Sequence, residues 1–122
     1  MNTKILVIDD EAAVRDMLSS YLQCHGFIVM AASTGAEALR QCRIEKFDLI
    51  TLDLVLPDVD GLDLLASIRN FDRDTPIIIA TGNDPNQALI NAAKMRGASG
   101  FASKTGPLKE LLAQIQTLAG LK

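Results

Sequence analysis

The chain is poor in several features that would widen its range of functions. A secretory signal needs an apolar stretch of about 7–15 residues, and a membrane span needs about 20. Only Ile5-Leu-Val-Ile8 separates Lys4 from Asp9 at the start, and no later apolar run reaches such lengths. Membrane insertion is not expected, and the expected compartment is the cytoplasm. There are two cysteines, Cys24 and Cys42, far apart and outside any Cys-x-x-Cys pair. They are expected to be reduced thiols that pack among helical neighbours. The lone histidine, His25, falls near a helix C-terminus, where it suits the dipole better than a metal. No basic run exists, and 12 Lys plus Arg against 15 Asp plus Glu leave a net charge of −3. Such a surface repels a duplex or an anionic membrane, so direct nucleic-acid binding is not expected. Phosphate-binding glycine patterns are also missing, and the first loop is acidic instead, which argues against a bound flavin nucleotide.

What remains is an ordinary globular composition. The 122 residues are 48% hydrophobic and 22% charged, which fits one domain over residues 1–122. A chain of this size buries roughly two-thirds of its unfolded surface and needs no disulfide or structural metal to fold. No repeat, linker or low-complexity stretch interrupts it.

Short apolar runs recur at Ile5–Ile8, Phe27–Met30, Leu49–Leu52, Ile77–Ala80 and Gly100–Ala102. Each is strand length and continuous rather than alternating, as expected of a parallel sheet covered on both faces. Helical patterns lie between them. Ala12 to Cys24 carries Val14, Met17, Leu18, Tyr21 and Leu22 on one face, with Gly26 as a left-handed stop. Thr34-Gly-Ala-Glu37 forms a capping box opening a helix to about Glu45. A third helix follows Asp60-Gly61 and runs to about Asn70. A fourth opens on Asp84-Pro85 and ends at Arg96-Gly97, and Pro107 starts the last. Met17, Met30 and Met95 stand among apolar neighbours and are expected to fill the core. The βα unit thus repeats five times. Right-handed crossovers then give an α/β, flavodoxin-like doubly wound (βα)5 sandwich with a five-stranded parallel sheet in the order 2-1-3-4-5.

In such sheets ligands bind beyond the carboxyl ends of the strands, where the strand order reverses. Asp9 and Asp10 follow strand 1, Asp53 follows strand 3, Thr81 ends strand 4 and Lys104 follows strand 5. Each ionised carboxylate pair at about 5 Å repels by roughly 3 kcal/mol at an effective dielectric near 20. Protonation of one acid or a bound cation relieves this. Oxygen-only ligands with positions left to water describe Mg²⁺, with Mn²⁺ as a substitute. A carboxylate on such a metal keeps a free oxygen for nucleophilic attack on phosphorus. The metal, Lys104 and the Thr81 hydroxyl would hold the three equatorial oxygens. The residues therefore predict a metal-assisted aspartyl-phosphate site.

Four segments resemble the receiver domain of two-component response regulators: Ile5-Leu-Val-Ile-Asp-Asp-Glu11, Asp48 to Gly61, Ile77-Ile-Ile-Ala-Thr-Gly82 and Gly97 to Lys104. The most specific feature is Asp53 followed by Pro57 and Gly61, and the resemblance covers residues 3–120. It implies that Asp53 accepts a phosphoryl group from a phosphohistidine on a sensor histidine kinase or histidine phosphotransfer protein. It further implies that Asp9 (through water), Asp10, Asp53 and the Val55 backbone carbonyl hold Mg²⁺, while Lys104 and Thr81 bind the phosphoryl oxygens. A swing of Thr81 coupled to inward rotation of Phe101 would change the helix 4–strand 5–helix 5 face for a downstream protein or output domain. Such a chain is a phosphoacceptor signalling domain rather than an enzyme, assisting its own phosphorylation and dephosphorylation. Phosphorylation-dependent dimerisation through the last helix is compatible with the resemblance.

Two positions depart from it. Receivers usually place Pro after the lysine, with a cis peptide; here the bond is Lys104-Thr105. A cis bond is still expected, although it costs about 2.5–4 kcal/mol without proline. The switch aromatic is Phe101, which has no hydroxyl. Both departures bear on signalling strength rather than on phosphorylation. Two alternatives stand beside this reading. A dehalogenase-type hydrolase wants a second Asp two residues after the nucleophile, where Val55 stands. A phosphorylation-independent pseudo-receiver docking module usually lacks an acid or the lysine, and all are present. Val55 and Asn83 are expected to control water access and so the phosphate lifetime. Strand 1 close to Met1 is expected of a natural N-terminus.

Overall fold

The computed structural model describes residues 3–82 and 86–119. Strands and helices alternate as β1 (Lys4–Ile8), α1 (Ala12–Cys24), β2 (Ile28–Ala32), α2 (Gly35–Ile44), β3 (Leu49–Asp53), α3 (Gly61–Arg69), β4 (Ile77–Thr81), α4 (Gln87–Met95), β5 (Gly100–Ser103) and α5 (Leu108–Leu118). Every strand pair is parallel and the order is β2-β1-β3-β4-β5. The expected doubly wound sheet is the one found.

Alternation along the strands divides the core in two, because successive side chains point to opposite faces. Leu6, Ile8, Ile50, Leu52, Ile77 and Ile79 pack with Ala38 of α2, Leu64, Leu65 and Ile68 of α3 and Ala93 of α4. Ile5, Val7, Leu49 and Ile78 pack with Leu18 and Leu22 of α1 and Leu111 and Ile115 of α5. β3 and β4 are buried throughout, whereas β2 and β5 are only partly covered. The two edge strands have a neighbour on one side only, so continuous apolar runs there do not mean full burial.

Helix ends follow local chemistry with small shifts. The Glu37 N–H donates to Thr34 Oγ1 at 3.1 Å, and the Glu37 carboxylate accepts the Ser33 N–H at 3.1 Å, one residue earlier than a standard capping box. Asp60 caps α3 by accepting the Leu62 N–H at 2.8 Å. Asp84-Pro85 and Asn83 lie outside the described residues. The residue that caps α4 is Asn86, which accepts the Leu89 N–H at 2.8 Å; it stands directly before the apolar run and caps as well as Asp does. Gly26 and Gly97 close α1 and α4 at φ 88° and 103°. The His25 Nδ1–H donates to the Tyr21 carbonyl at 2.9 Å, so this ring finishes a helix as expected.

Three expected core side chains are not core. Met17 and Met95 are 40% and 87% exposed, and Cys24 is exposed. Cys24 lies two residues beyond the buried Leu22, and Met95 two beyond the buried Ala93, so a turn of about 200° carries each away from its core face. Met17 sits at the edge of the stripe led by Leu18. Met30 and Cys42 do pack against the larger core cluster. Burial, with the Asp72 charge behind it, pushes the Cys42 thiol up to about 11, which leaves it protonated and unreactive.

Candidate functional site

The sheet brings its polar strand ends to one edge. Asp9 directly follows β1, Asp53 ends β3, Thr81 ends β4 and Lys104 directly follows β5. The Lys104 N–H donates to the Thr81 carbonyl at 2.7 Å, which joins the last two. Asp9, Asp53 and Thr81 are buried, and Asp10 is exposed. One carboxylate oxygen from each of Asp9, Asp10 and Asp53 lies within 4.8 Å of the others.

The backbone groups of the first loop are held by β2 and by two side chains. The Asp9 N–H donates to the Ala32 carbonyl at 3.1 Å, and the Glu11 N–H donates to Asp9 Oδ1 at 2.9 Å. The Arg15 guanidinium, one turn into α1, donates to the Asp9 carbonyl at 2.7 Å. Asp53 Oδ1 accepts the Val55 N–H at 3.3 Å.

Lys104 Nζ sits among three carboxylates, 2.9 Å from Asp9 Oδ2, 2.9 Å from Glu11 Oε1 and 3.2 Å from Asp53 Oδ2. Its side chain is 7% exposed. Burial alone would lower the pKa of this ammonium. The hydrogen bonds to Asp9, Glu11 and Asp53, with the Asp53 charge, outweigh that and hold it above the ordinary lysine value. Asp53 moves the other way from a typical paired acid. Burial pushes its carboxyl up; the Val55 N–H pulls it down, the Asp9 charge raises it again, and Lys104 offsets only part. The nucleophile candidate is thus a crowded, partly desolvated carboxylate that gains from any added positive charge.

The donor set suits a hard divalent cation. It offers only oxygens, from two buried acids and one exposed acid, and the exposed Asp10 side leaves room for water ligands. Among the described residues no Cys or His joins the group, which disfavours zinc or copper.

The expected cis bond is corrected here. Among the described residues no peptide is cis, so Lys104-Thr105 is trans. Lys104 reaches Asp53 and Asp9 from a trans backbone, and nothing requires the cost of a cis non-proline bond.

A family model for the response regulator receiver domain matches residues 5–116. The chain belongs to that family. Response regulator MprA of Mycobacterium ulcerans is 35% identical over 118 residues, covering 97% of this chain and 50% of that protein. The alkaline phosphatase synthesis transcriptional regulatory protein PhoP of Bacillus subtilis is 34% identical over 118 residues, covering 97% and 49%. The chain spans about half the length of the curated relatives it matches. Among solved structures, a CheY-like response regulator receiver domain protein from Methanospirillum hungatei superposes with a TM-score of 0.92 at 27% identity, covering 98% of this chain and 95% of that one. The BeF3-activated N-terminal receiver domain of Klebsiella pneumoniae RstA gives 0.88 at 31% identity, covering 96% and 98%.

Other receiver positions expected from the sequence are placed as follows. Phe101 lies in β5 opposite Ile79, partly buried against the α2–α3–α4 core, and its carbonyl accepts Gln114 Nε2 at 2.6 Å. Val55 is 73% exposed and forms an isolated antiparallel bridge with Asp60. Sequence reasoning gave no role to Glu11 or Arg15. Glu11 stands next to the acidic pair, a signal that was there to be used. The Arg15 contact is to a backbone carbonyl and leaves no trace in residue type.

Proposed function

We propose that this receiver domain takes a phosphoryl group from a phosphohistidine onto Asp53 and uses the modified state to signal. The observation that carries this reading is the meeting of Asp9, Asp10 and Asp53 oxygens within 4.8 Å with Lys104 Nζ 3.2 Å from Asp53 Oδ2. Asp9 and Asp10, Asp53 itself and the Val55 carbonyl are the groups that would hold Mg²⁺, with Mn²⁺ able to replace it. When bound, the cation would neutralise the acids and offer positive charge to the transferring phosphoryl oxygens.

The chain's own residues do the rest. An Asp53 oxygen forms the new O–P bond as the N–P bond of the donor breaks, and the leaving imidazole takes a proton from solvent. Lys104 exchanges a carboxylate for a phosphoryl oxygen, which keeps its charge paired throughout. The Thr81 hydroxyl donates to a second phosphoryl oxygen. Its movement would leave space for Phe101 to turn further into the core, changing the α4–β5–α5 face.

The proposed donors are a sensor histidine kinase or a histidine phosphotransfer protein, met in the cytoplasm. The proposed output is a downstream protein or a further domain. Phosphorylation-dependent pairing of two copies through α5 is part of the same proposal. Nothing favours the docking-module alternative, because the acids and the lysine are retained. Incubation with acetyl phosphate tests the reading by intact mass. One added phosphoryl group is expected with Mg²⁺, and none in EDTA or in Asp53→Ala. An unmodified chain that also fails to bind beryllium fluoride would refute it.

A further inference from the structure

The segment between β3 and α3, residues 54–60, supplies Val55 to the proposed metal site and is held at both ends. At the far end the Gly61 N–H donates to the Leu54 carbonyl at 2.9 Å, and a Cβ on Gly61 would run into Leu54 Cα. The middle is held by a different element. Asp58 Oδ1 accepts the Gly35 N–H at 2.8 Å, and Asp58 Oδ2 accepts the Ala36 N–H at 3.0 Å. These are the first two N–H groups of α2, which have no partner inside the helix. Next to them Val59 lies so close to buried Gly35 that a Cβ there would meet Val59 Cγ1. Thr34, the ordinary cap, serves Glu37 and makes no described hydrogen bond to this segment. Asp58 therefore completes a cap from 22 residues away and fastens the segment to α2 through a two-point contact.

We propose that Asp58 is a positioning residue for the metal site, holding the 54–60 segment on α2 so that the Val55 carbonyl keeps its place beside Asp53. This rests on the reading of Asp9, Asp10 and Asp53 as a Mg²⁺ site. The Gly35 and Ala36 N–H groups hold the Asp58 carboxyl below its ordinary range, so the anion persists at neutral pH. The anion also lies at the positive end of the α2 dipole. Asp58 stands three positions after Val55, and the Val55–Asp60 bridge encloses it. Release of Asp58 would free the middle of the segment while Gly61 still holds its end. By linkage, a cation that steadies the segment must also steady the α2 N-terminus.

Calorimetric titration with MgCl₂ tests this on the full chain beside Asp58→Ala, Asp58→Asn and Thr34→Ala. Asp58→Ala should bind Mg²⁺ about 10-fold more weakly, in the range seen when outer-shell supports of metal ligands are lost. Asp58→Asn should recover much of that, since its amide oxygen still accepts one N–H. Thr34→Ala weakens the same helix end without touching the segment, and should bind like the unsubstituted chain. Equal affinity in Asp58→Ala, or an equal loss in Thr34→Ala, would overturn the proposal. Absence of Mg²⁺ binding by the unsubstituted chain is a separate result that removes the metal-site reading and this inference with it. Hydrogen exchange on the unsubstituted chain needs no variant to fold. Saturating Mg²⁺ should slow exchange at Gly35 and Ala36, and unchanged rates there would also refute the idea.

Discussion

Lys104 is the single cation that the described ion pairs place against Asp9 and Asp53, and its removal tests the electrostatics directly. Lys104→Met keeps the stem and deletes the charge. Asp9 and Asp53, 1% and 5% exposed, then face each other without their partner. Losing one side of a buried ion pair costs about 3–5 kcal/mol. The lower end applies here, because the third partner Glu11 is exposed and Asp10 opens the cluster to water. A loss of about 3 kcal/mol lowers the melting temperature of a domain this size by roughly 10 °C. Asp9 and Asp53, the acids paired with Lys104, also belong to the group proposed to hold the cation, so the variant should bind Mg²⁺ more tightly than the unsubstituted chain. At 100 times its dissociation constant, Mg²⁺ restores about 2.7 kcal/mol. Thermal unfolding in EDTA and across a MgCl₂ series measures both effects. A variant as stable as the unsubstituted chain in EDTA, or one with weaker Mg²⁺ binding, would refute the account of competition between the ammonium and the metal.

Two glycines should fail for different reasons. Gly61→Ala places a Cβ against backbone, with the Asp53 and Leu54 carbonyl oxygens both at 2.8 Å, and should cost about 2–3 kcal/mol in denaturant unfolding. Gly26→Ala meets nothing within 4 Å, but φ is 88°, so about 1 kcal/mol from backbone strain is expected. Reversal of that order would contradict the steric reading. Asp72 should steepen acid unfolding. Burial disfavours its carboxylate, but the Thr75 hydroxyl and N–H, the Asp74 N–H and the Lys46 charge outweigh this and hold its pKa below the ordinary value. The folded state thus binds the proton less readily than the unfolded chain. The stabilisation is complete above about pH 4 and is lost as pH falls through the lowered pKa. Asp72→Asn should flatten stability against pH in that range, and an unchanged acid limb would count against it.

Much of the fold was legible because each signal acts locally. Continuous apolar runs marked the strands, and Thr34, Asp60, Gly26 and Pro107 marked helix ends. The convergence of Asp9, Asp10, Asp53 and Lys104 on one edge followed from strand order alone, since residues at the carboxyl ends of neighbouring parallel strands must meet. What the sequence concealed depends on direction around a helix or on distant partners. Met17 and Met95 read as apolar residues among apolar neighbours, yet each lies off its helix's buried face. The trans Lys104-Thr105 bond was concealed because residue type does not reveal the reach of a flexible lysine. Asp58 carries no signal of its own in the sequence, because its partners Gly35 and Ala36 lie in an earlier element.

The phosphoacceptor itself can be read chemically. Borohydride reduces an acyl phosphate to the alcohol, turning phosphorylated Asp53 into homoserine that peptide mass mapping locates. After acetyl phosphate treatment with Mg²⁺, homoserine is predicted at position 53 alone, and at no position when EDTA replaces the metal. Homoserine at another residue, or an unreduced Asp53 in a chain shown to bind Mg²⁺ and to carry phosphate, would contradict the central claim.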